Sequence, residues 1–376
     1  MDTTILILGG YGNAGRLIAK YVLKETGARV VVGGRNPERA SVLASSLSAV
    51  FGSERVAARR VDASDRSSLD EAFLEADMVV VASSSSPHVQ NVAEAAIAAG
   101  IDYLDLQFST QKLRVLRRLE EEINRAECCF ITDGGFHPGL PAALARYACQ
   151  HMNNVERVRI GGVINVDWGQ YQFSPETVQE MVDEITEYNA SVYCNGSWKK
   201  AGWKDRQRFD FGDEIGCLDC YPMMLEELAQ LPGEIPTLKE LGFYIAGFNW
   251  FVDLLVLPVG FMVKKLNMKQ GDRFIGRLLV WGLKTFSNPP FKTILQMDAN
   301  GKAENKEQTL TVTLEHEDPY VMTALPVVAC LLQYLGGNIR RPGLWLQAHI
   351  VEPVIFLRDI ERLGISVDVE VSSSSS

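Results

Sequence analysis

Glycines 10, 12 and 15 frame the run Gly10-Tyr11-Gly12-Asn13-Ala14-Gly15, directly after the apolar stretch Ile5–Leu8. A strand, a glycine turn and a helix in that order can hold the pyrophosphate of a dinucleotide. Gly10 permits the tight turn, Gly12 lets the backbone approach the phosphates, and Gly15 allows close packing of helix on sheet. Asn13 and Ala14 then open the helix, where unpaired N–H groups and the helix dipole favour negative charge. A mononucleotide P-loop would need Lys and Ser/Thr after the last glycine, and Arg16 and Leu17 stand there. The plainer alternative is a glycine turn that holds no ligand.

The end of the second strand chooses the cofactor. An NAD site places an acidic residue about 20 positions after the fingerprint, to accept from the ribose 2′-hydroxyl. This chain has Gly33-Gly34-Arg35-Asn36 there, with no carboxylate. The Arg35 guanidinium can grip a 2′-phosphate bidentately and stack on adenine, which favours NADP(H). The competing reading of Arg35 is an exposed arginine at a helix start. Asp62, after the third strand, can accept from the adenine amino group, or cap the helix beginning near Asp65 or Ser67. Ser83 and Ser84, in the run Ser83–Ser86 after the fourth strand, suit close passage of a ribose. The cofactor set is therefore Gly10, Gly12, Asn13, Ala14, Gly15, Gly34, Arg35, Asn36, Asp62, Ser83 and Ser84.

The candidate for chemistry is His137, in the loop Asp133-Gly134-Gly135-Phe136-His137-Pro138-Gly139-Leu140. That loop could close over a nicotinamide, and imidazole is the group there that titrates near neutrality, as proton donor or acceptor. A histidine that only hydrogen-bonds its loop is the alternative. His88 is a weaker candidate. Cys217-Leu218-Asp219-Cys220 has the spacing of half a zinc site but lacks a second pair, so no metal is expected.

The elements that must position these residues alternate. Strands are expected at Thr4–Leu8, Arg29–Val32, Val56–Val61, Met78–Ala82, Tyr103–Leu106 and Cys128–Thr132. Helices are expected at Ala14–Glu25, Pro37–Leu47, Ser67–Ala76, His88–Ala99 and Gln111–Arg125. Apolar strands alternating with helices imply an α/β fold, a Rossmann doubly wound parallel sheet. A second, inserted α+β domain follows, with a strand at Val155–Val163, a helix at Glu176–Asn189 and a strand at Gln308–Leu314. Turns are expected at Cys194–Gly196, Leu231–Pro236 and Asp298–Gly301. The tail carries helices at Tyr320–Leu335 and around Pro353–Leu363, and Ser372–Ser376 is read as a frayed end. The division is 1–140 for the Rossmann domain, 141–318 for an α+β substrate and dimerisation domain, and 319–376 for helices returning to the first domain.

Phe243–Val263 is almost wholly apolar, broken by Asn249, Asp253 and Pro258, and leads into Lys264, Lys265, Lys269, Arg273, Arg277 and Lys284. A central Asp and a Pro make a transmembrane span costly. A buried helix or subunit interface is expected, with a hydrophobic substrate tunnel or an interfacial membrane contact as alternatives. The chain has 376 residues, 47% apolar and 22% charged, which excludes disorder and coiled coil. Its net charge of −10 argues against nucleic acid as a partner. Seven scattered cysteines suit a reducing compartment, and the N-terminus lacks a basic n-region, so no signal peptide is expected. A cytoplasmic homodimer acting on a small molecule is the expectation.

With these residues in hand, the chain resembles the saccharopine dehydrogenase-like family of NADP-binding oxidoreductases. The resemblance rests on Gly9-Gly10-Tyr11-Gly12-Asn13-Ala14-Gly15, Gly34-Arg35, Ser85-Ser86-Pro87-His88, Asp102-Tyr103-Leu104-Asp105 and Gly135-Phe136-His137-Pro138-Gly139-Leu140. In the tail it rests on Tyr320–Leu335, Arg341-Pro342-Gly343 and the stretch to Gly364-Ile365. It covers the first third and the tail and fades between them. It implies a Rossmann domain completed by C-terminal helices, an inserted substrate domain, a cleft where cofactor meets substrate, and hydride transfer to or from an imine or carbinolamine. Members acting on saccharopine carry Asp before the Pro-Gly, where His137 stands, and often a tyrosine where Ser83–Ser86 stand. The departure points away from an amino-dicarboxylic substrate, and the apolar run Phe243–Val263 admits a hydrophobic carbonyl or enoyl compound beside an amino acid-derived imine. A non-catalytic NADP-binding scaffold and a membrane-peripheral protein are the alternatives from other classes.

Overall fold

The computed structural model describes residues 3–107, 109–186, 188–265 and 271–373. The chain divides into two compact units, Met1–Ala143 with Tyr320–Gly364, and Leu144–Pro319 with Ile365–Ser376.

In the first unit, strands β1 (Thr4–Leu8), β2 (Arg29–Gly34), β3 (Val56–Arg60), β4 (Met78–Val81), β5 (Asp102–Asp105) and β6 (Cys129–Thr132) alternate with helices. The helices are α1 (Asn13–Glu25), α2 (Pro37–Phe51), α3 (Arg66–Phe73), α4 (Val89–Ala99) and α5 (Thr110–Arg118). Every residue of β1, β4, β5 and β6 is buried, as a parallel sheet covered on both faces requires. The seven-stranded sheet runs in the order Gly343–Leu346, β6, β5, β4, β1, β2, β3, and all its pairs are parallel. The chain winds outward from β1 through β2 to β3, then crosses back to β4. The switch point lies between β1 and β4, where ligands bind in such sheets. The edge strand Gly343–Leu346 comes from the tail, so the C-terminal segment completes the sheet beside β6. The expected long helix after β5 is two helices, because Leu119 (φ −91°, ψ 2°) leaves the helical path between α5 and Glu120–Arg125.

The second unit holds a nine-stranded mixed sheet. Glu240–Ala246 pairs parallel with Asn154–Asn165, and Lys292–Ala303 pairs antiparallel with both Asn154–Asn165 and Lys306–His316. Asp298–Gly301, read as a turn, lies inside a strand. Asp298 is satisfied there by Gln296 Nε2 and Thr311 Oγ1, each at 3.2 Å, and Gly301 sits at a bulge where a Cβ would fall 2.0 Å from the Asn154 carbonyl. The turn comes at Glu304–Asn305, whose φ values of 51° and 67° fit a two-residue hairpin. Leu231–Pro236 likewise contains a short helix, Leu231–Glu234. The tail does not fray at Ser372: Ser366–Ser373 pairs antiparallel with Lys306–His316 in the second unit's sheet. Ser374–Ser376, Glu187 and Lys269 lie outside the described residues.

The apolar segment Phe243–Val263 is split. Phe243–Ala246 finishes a central strand, whereas residues 250–265 form a helix with a π-turn at Val252–Val256. Of the two expected readings, a buried helix or a subunit interface, the first is corrected, since Leu254, Leu255, Phe261 and Met262 are exposed on the single chain. Among the described residues, no helix is long and apolar enough to cross a membrane.

Candidate functional site

The phosphate-binding turn is built by backbone approach. Gly9, not Gly10, takes the left-handed conformation, at φ 84°, so the tight turn begins one residue earlier than expected. The Gly9 and Gly10 amides donate to the Gly33 carbonyl at 2.9 and 3.0 Å, tying the turn to the end of β2. A Cβ on Gly15 would lie 2.3 Å from the Gly9 carbonyl, which is why glycine stands where α1 packs on the turn. Gly12 caps α1 without a side-chain hydrogen bond, and a Cβ there would meet only the Gly9 and Ala82 carbonyls. The first-turn amides of Asn13, Ala14 and Gly15 have no carbonyl four residues back within the helix, so they suit an anion.

Tyr11 lies across Gly34. A Cβ at Gly34 would fall 2.4 Å from the tyrosine ring, and Tyr11 Oη accepts from the Asn36 amide at 3.0 Å. Arg39 stacks its guanidinium over the same ring, 4.8 Å from the centroid. Arg35 is exposed at the mouth of this arrangement. Asn36 caps α2, its Oδ1 accepting from the Arg39 amide at 3.0 Å. Asp62 accepts from the Ser64 amide and hydroxyl at 3.0 and 2.7 Å. Those bonds to Ser64 first, and then the charges of Arg35 and Arg60, hold its carboxyl below the ordinary value. The cap of α3 is Asp65, which accepts from the Ser67 amide, so the capping alternative for Asp62 falls away.

At the ends of β4 and β5, Ser83 Oγ and Ser85 Oγ lie 3.0 Å apart, and Gln107 Nε2 donates to the Ser83 carbonyl and to Ser85 Oγ. Gln107 is buried, and its Oε1 has no hydrogen-bond partner. An orphaned acceptor at the carboxyl edge of the sheet is costly unless a ligand donor meets it. Ser84 borders the same loop. His88 is exposed at the start of α4.

The loop after β6 is held from three sides. Lys112, fully buried on α5, donates to Asp105 Oδ1 and Asp133 Oδ1 at 2.6 Å each, and to the Gln107 carbonyl at 2.5 Å. Burial alone would push the ammonium down; the two carboxylates outweigh it and hold its pKa above the ordinary value. Tyr103 Oη and Thr132 Oγ1 each donate to Asp105 Oδ2 at 2.8 Å. Asp133 sits at φ 56°, and the Gly134 amide donates to the Asp105 carbonyl at 2.8 Å. From the tail, Gln347 Nε2 reaches the Gly135 and Gly139 carbonyls at 3.5 and 3.4 Å. The loop is thus a pinned wall. His137 stacks at 4.6 Å on Phe136 and keeps part of its surface exposed, while desolvation lowers its pKa to about 4. The ring is neutral at pH 7.

The sheet therefore brings Gly10, Gly12, Asn13, Ala14, Gly15, Gly34, Arg35, Asn36, Asp62, Ser83 and Ser84 to the carboxyl ends of β1 to β4, with His137 following β6. Cys217 and Cys220 do not converge: Cys217 is exposed and Cys220 buried on a strand, where residues three apart face opposite sides. Among the described residues, no group of three or more metal-ligating side chains occurs. Gly9, Tyr11, Gln107 and the Asp105–Lys112–Asp133 cluster escaped the sequence reading. One signal was available, since an aspartate on a strand buried on both faces demands a cation.

Residues 5–128 match the family model of the saccharopine dehydrogenase NADP binding domain. Apo saccharopine dehydrogenase (L-Glu forming) from Saccharomyces cerevisiae has a similar structure, with TM-score 0.73 and 17% identity over 99% of this chain and 100% of that one. Pen from Bacillus thuringiensis (TM-score 0.28, 21% identity, 35% of this chain and 49% of that) is a more partial likeness. So is a short-chain type dehydrogenase/reductase from Mycobacterium ulcerans (0.31, 15%, 35% and 66%). No curated protein sequence matches the chain. The side chains fit NADP(H): an uncapped helix start behind an open glycine, an exposed arginine at the end of β2 and an orphaned amide oxygen at the end of β5. Residues 5–128 are accordingly a saccharopine dehydrogenase-type NADP-binding domain, with NADP(H) as its cofactor, and the chain as a whole shares the fold of the yeast enzyme.

Proposed function

We propose that this protein reduces a carbonyl, an enoyl carbonyl or a neutral imine of a small molecule, at the carboxyl edge of the first unit's sheet. The first-turn amides of α1 hold the pyrophosphate, Arg35 grips the 2′-phosphate, and Gln107 Oε1 accepts from the carboxamide N–H. Bound there, the cofactor supplies a hydride.

The observation that carries the reading is the geometry of the loop after β6, tied down by Gln347 and the Asp133–Lys112 pair, which holds His137 partly buried against Phe136, where desolvation lowers the imidazole pKa. A ring with a pKa near 4 is not an imidazolium donor at pH 7. Its N–H can hydrogen-bond the oxygen or nitrogen that gains charge as the hydride arrives, with the compensating proton drawn from water. Such a group suits an acceptor that needs a hydrogen-bond donor and does not pair with a substrate ammonium, which places amino-dicarboxylates second. The cytoplasm is the proposed setting, supported by seven free thiols.

The test is NADPH oxidation, followed by absorbance, against imines, apolar ketones, enoyl thioesters and amino-dicarboxylic semialdehydes. Turnover with a neutral carbonyl or imine acceptor is expected. Tight NADPH binding with no turnover on any panel member would leave a nucleotide-binding scaffold as the function.

A further inference from the structure

The second unit carries an apolar surface that the reductase reading does not use. Two helical stretches, residues 250–265 and Gly271–Phe286, pack their inner faces together through Val252, Val256, Ile275, Leu279 and Leu283, all buried. Their outer faces are left bare. Eight of the seventeen exposed large apolar side chains among the described residues fall between positions 250 and 281. That is a patch rather than the scatter normal on a soluble surface. Leu254 is 69% exposed, Met262 61%, Phe274 60% and Trp250 57%.

Aromatic contacts fuse the two outer faces into one. Trp250 meets Phe286 at 5.0 Å, Phe251 meets Trp281 at 5.1 Å, and Trp281 meets Phe286 at 5.4 Å. Along Gly271–Phe286, exposed Arg273, Phe274, Arg277, Trp281 and Lys284 recur three, four and seven residues apart, which places cations and aromatics on one stripe. Asp272 is the single acidic residue of that helix. Lys284 is already partly engaged, donating to the Tyr171 carbonyl at 3.1 Å.

Charge identifies the occupant. The protein as a whole carries −10, yet this apolar face is bordered by arginines. A second copy docked symmetrically would set cationic stripe against cationic stripe. An anionic bilayer offers acyl surface for the apolar side chains and phosphates for the guanidinium groups, which reach outward on their aliphatic stems. Tryptophan favours that interfacial depth. Among the described residues no helix is long and apolar enough to span a bilayer, and an orientation in the plane of the headgroups suits both.

We propose that the outer face of this helical pair is a docking surface for anionic lipid bilayers, with Trp250, Leu254, Met262, Phe274 and Trp281 in the interfacial layer and Arg273 and Arg277 against lipid phosphates. It stands independently of the reductase reading.

The test uses the full-length protein with vesicles of phosphatidylcholine, alone or mixed with phosphatidylglycerol, read by flotation and by tryptophan emission. Binding to the anionic vesicles with a blue shift is expected, and much weaker binding to the neutral ones. Arg273→Gln with Arg277→Gln should weaken anionic binding about thirty-fold at low salt. Leu254→Ser with Met262→Ser should abolish the part of the binding that survives high salt. These side chains are exposed, so far-ultraviolet circular dichroism and NADPH affinity should be unchanged in both variants. Absence of vesicle binding, or equal binding to both compositions, overturns the proposal. So does a dimer in sedimentation that Leu254→Ser with Met262→Ser dissociates while vesicle binding is nil, which would assign the face to a second copy.

Discussion

At the scale of single residues, charge decides cofactor choice and burial decides the protonation of the candidate catalytic group. The proposed bidentate grip of Arg35 on the 2′-phosphate is an interaction worth about 1.5–3 kcal/mol. Arg35→Ala should therefore weaken NADPH roughly ten- to a hundred-fold while NADH affinity stays within about two-fold. Fluorescence titration with both nucleotides checks this, and equal losses would refute the assignment. His137 has a folded pKa of about 4 against an ordinary 6.5. Between those values the unfolded chain binds the proton and the folded one does not. The stabilisation is complete above the ordinary pKa and is lost as pH falls toward the folded one, amounting to about 3 kcal/mol at most. Denaturant titrations across that window should show stability rising with pH, and His137→Asn should flatten the slope. The same substitution should lower turnover without changing NADPH affinity, because the imidazole is assigned to the reacting acceptor. Of these residues, the exposed place of Arg35 just past β2 was legible from the strand pattern and the glycine spacing. The protonation of His137 was not, because it depends on which side chains surround the ring.

At the scale of elements, β5, β6 and α5 meet in a buried charge cluster that anchors the His137 loop. Lys112→Met leaves Asp105 and Asp133 facing one another without their cation, which costs about 3–5 kcal/mol. Melting should fall by roughly 10 °C, and hydrogen exchange should quicken across residues 133–140 more than elsewhere in the first unit. A Lys112→Met, Asp105→Asn, Asp133→Asn triple variant removes the uncompensated charges and should recover part of the loss. If the single substitution leaves both the melting temperature and exchange in the loop unchanged, the cluster does not hold the loop. The fingerprint strand and helix were predictable as a unit, since glycine spacing reports contacts between neighbouring segments. The Asp105–Lys112–Asp133 contact was not, because the three residues share no periodicity and meet only when β5 lies beside β6.

At the scale of the whole molecule, ligand binding should register in the first unit. NADPH at a hundred times its Kd adds about 2.7 kcal/mol to the stability of the folded state that binds it. Calorimetry should show an upward shift of several degrees, much larger with NADPH than with NADH at equal concentration. No shift with either nucleotide would contradict the cofactor assignment. The alternation of apolar strands and helices determined, by itself, a parallel doubly wound sheet and its glycine turn, because buried strands and helix starts leave a pattern in the residues that form them. Tertiary structure decided the rest. It placed Asp298–Gly301 inside a strand by giving Asp298 partners from Gln296 and Thr311. It sent Ser366–Ser373 into the second unit's sheet and set Gly343–Leu346 beside β6. It also exposed one face of an apolar segment that composition alone reads as core. Hydropathy records how strongly a segment avoids water, whereas which of its faces finds a partner depends on elements far away in the chain.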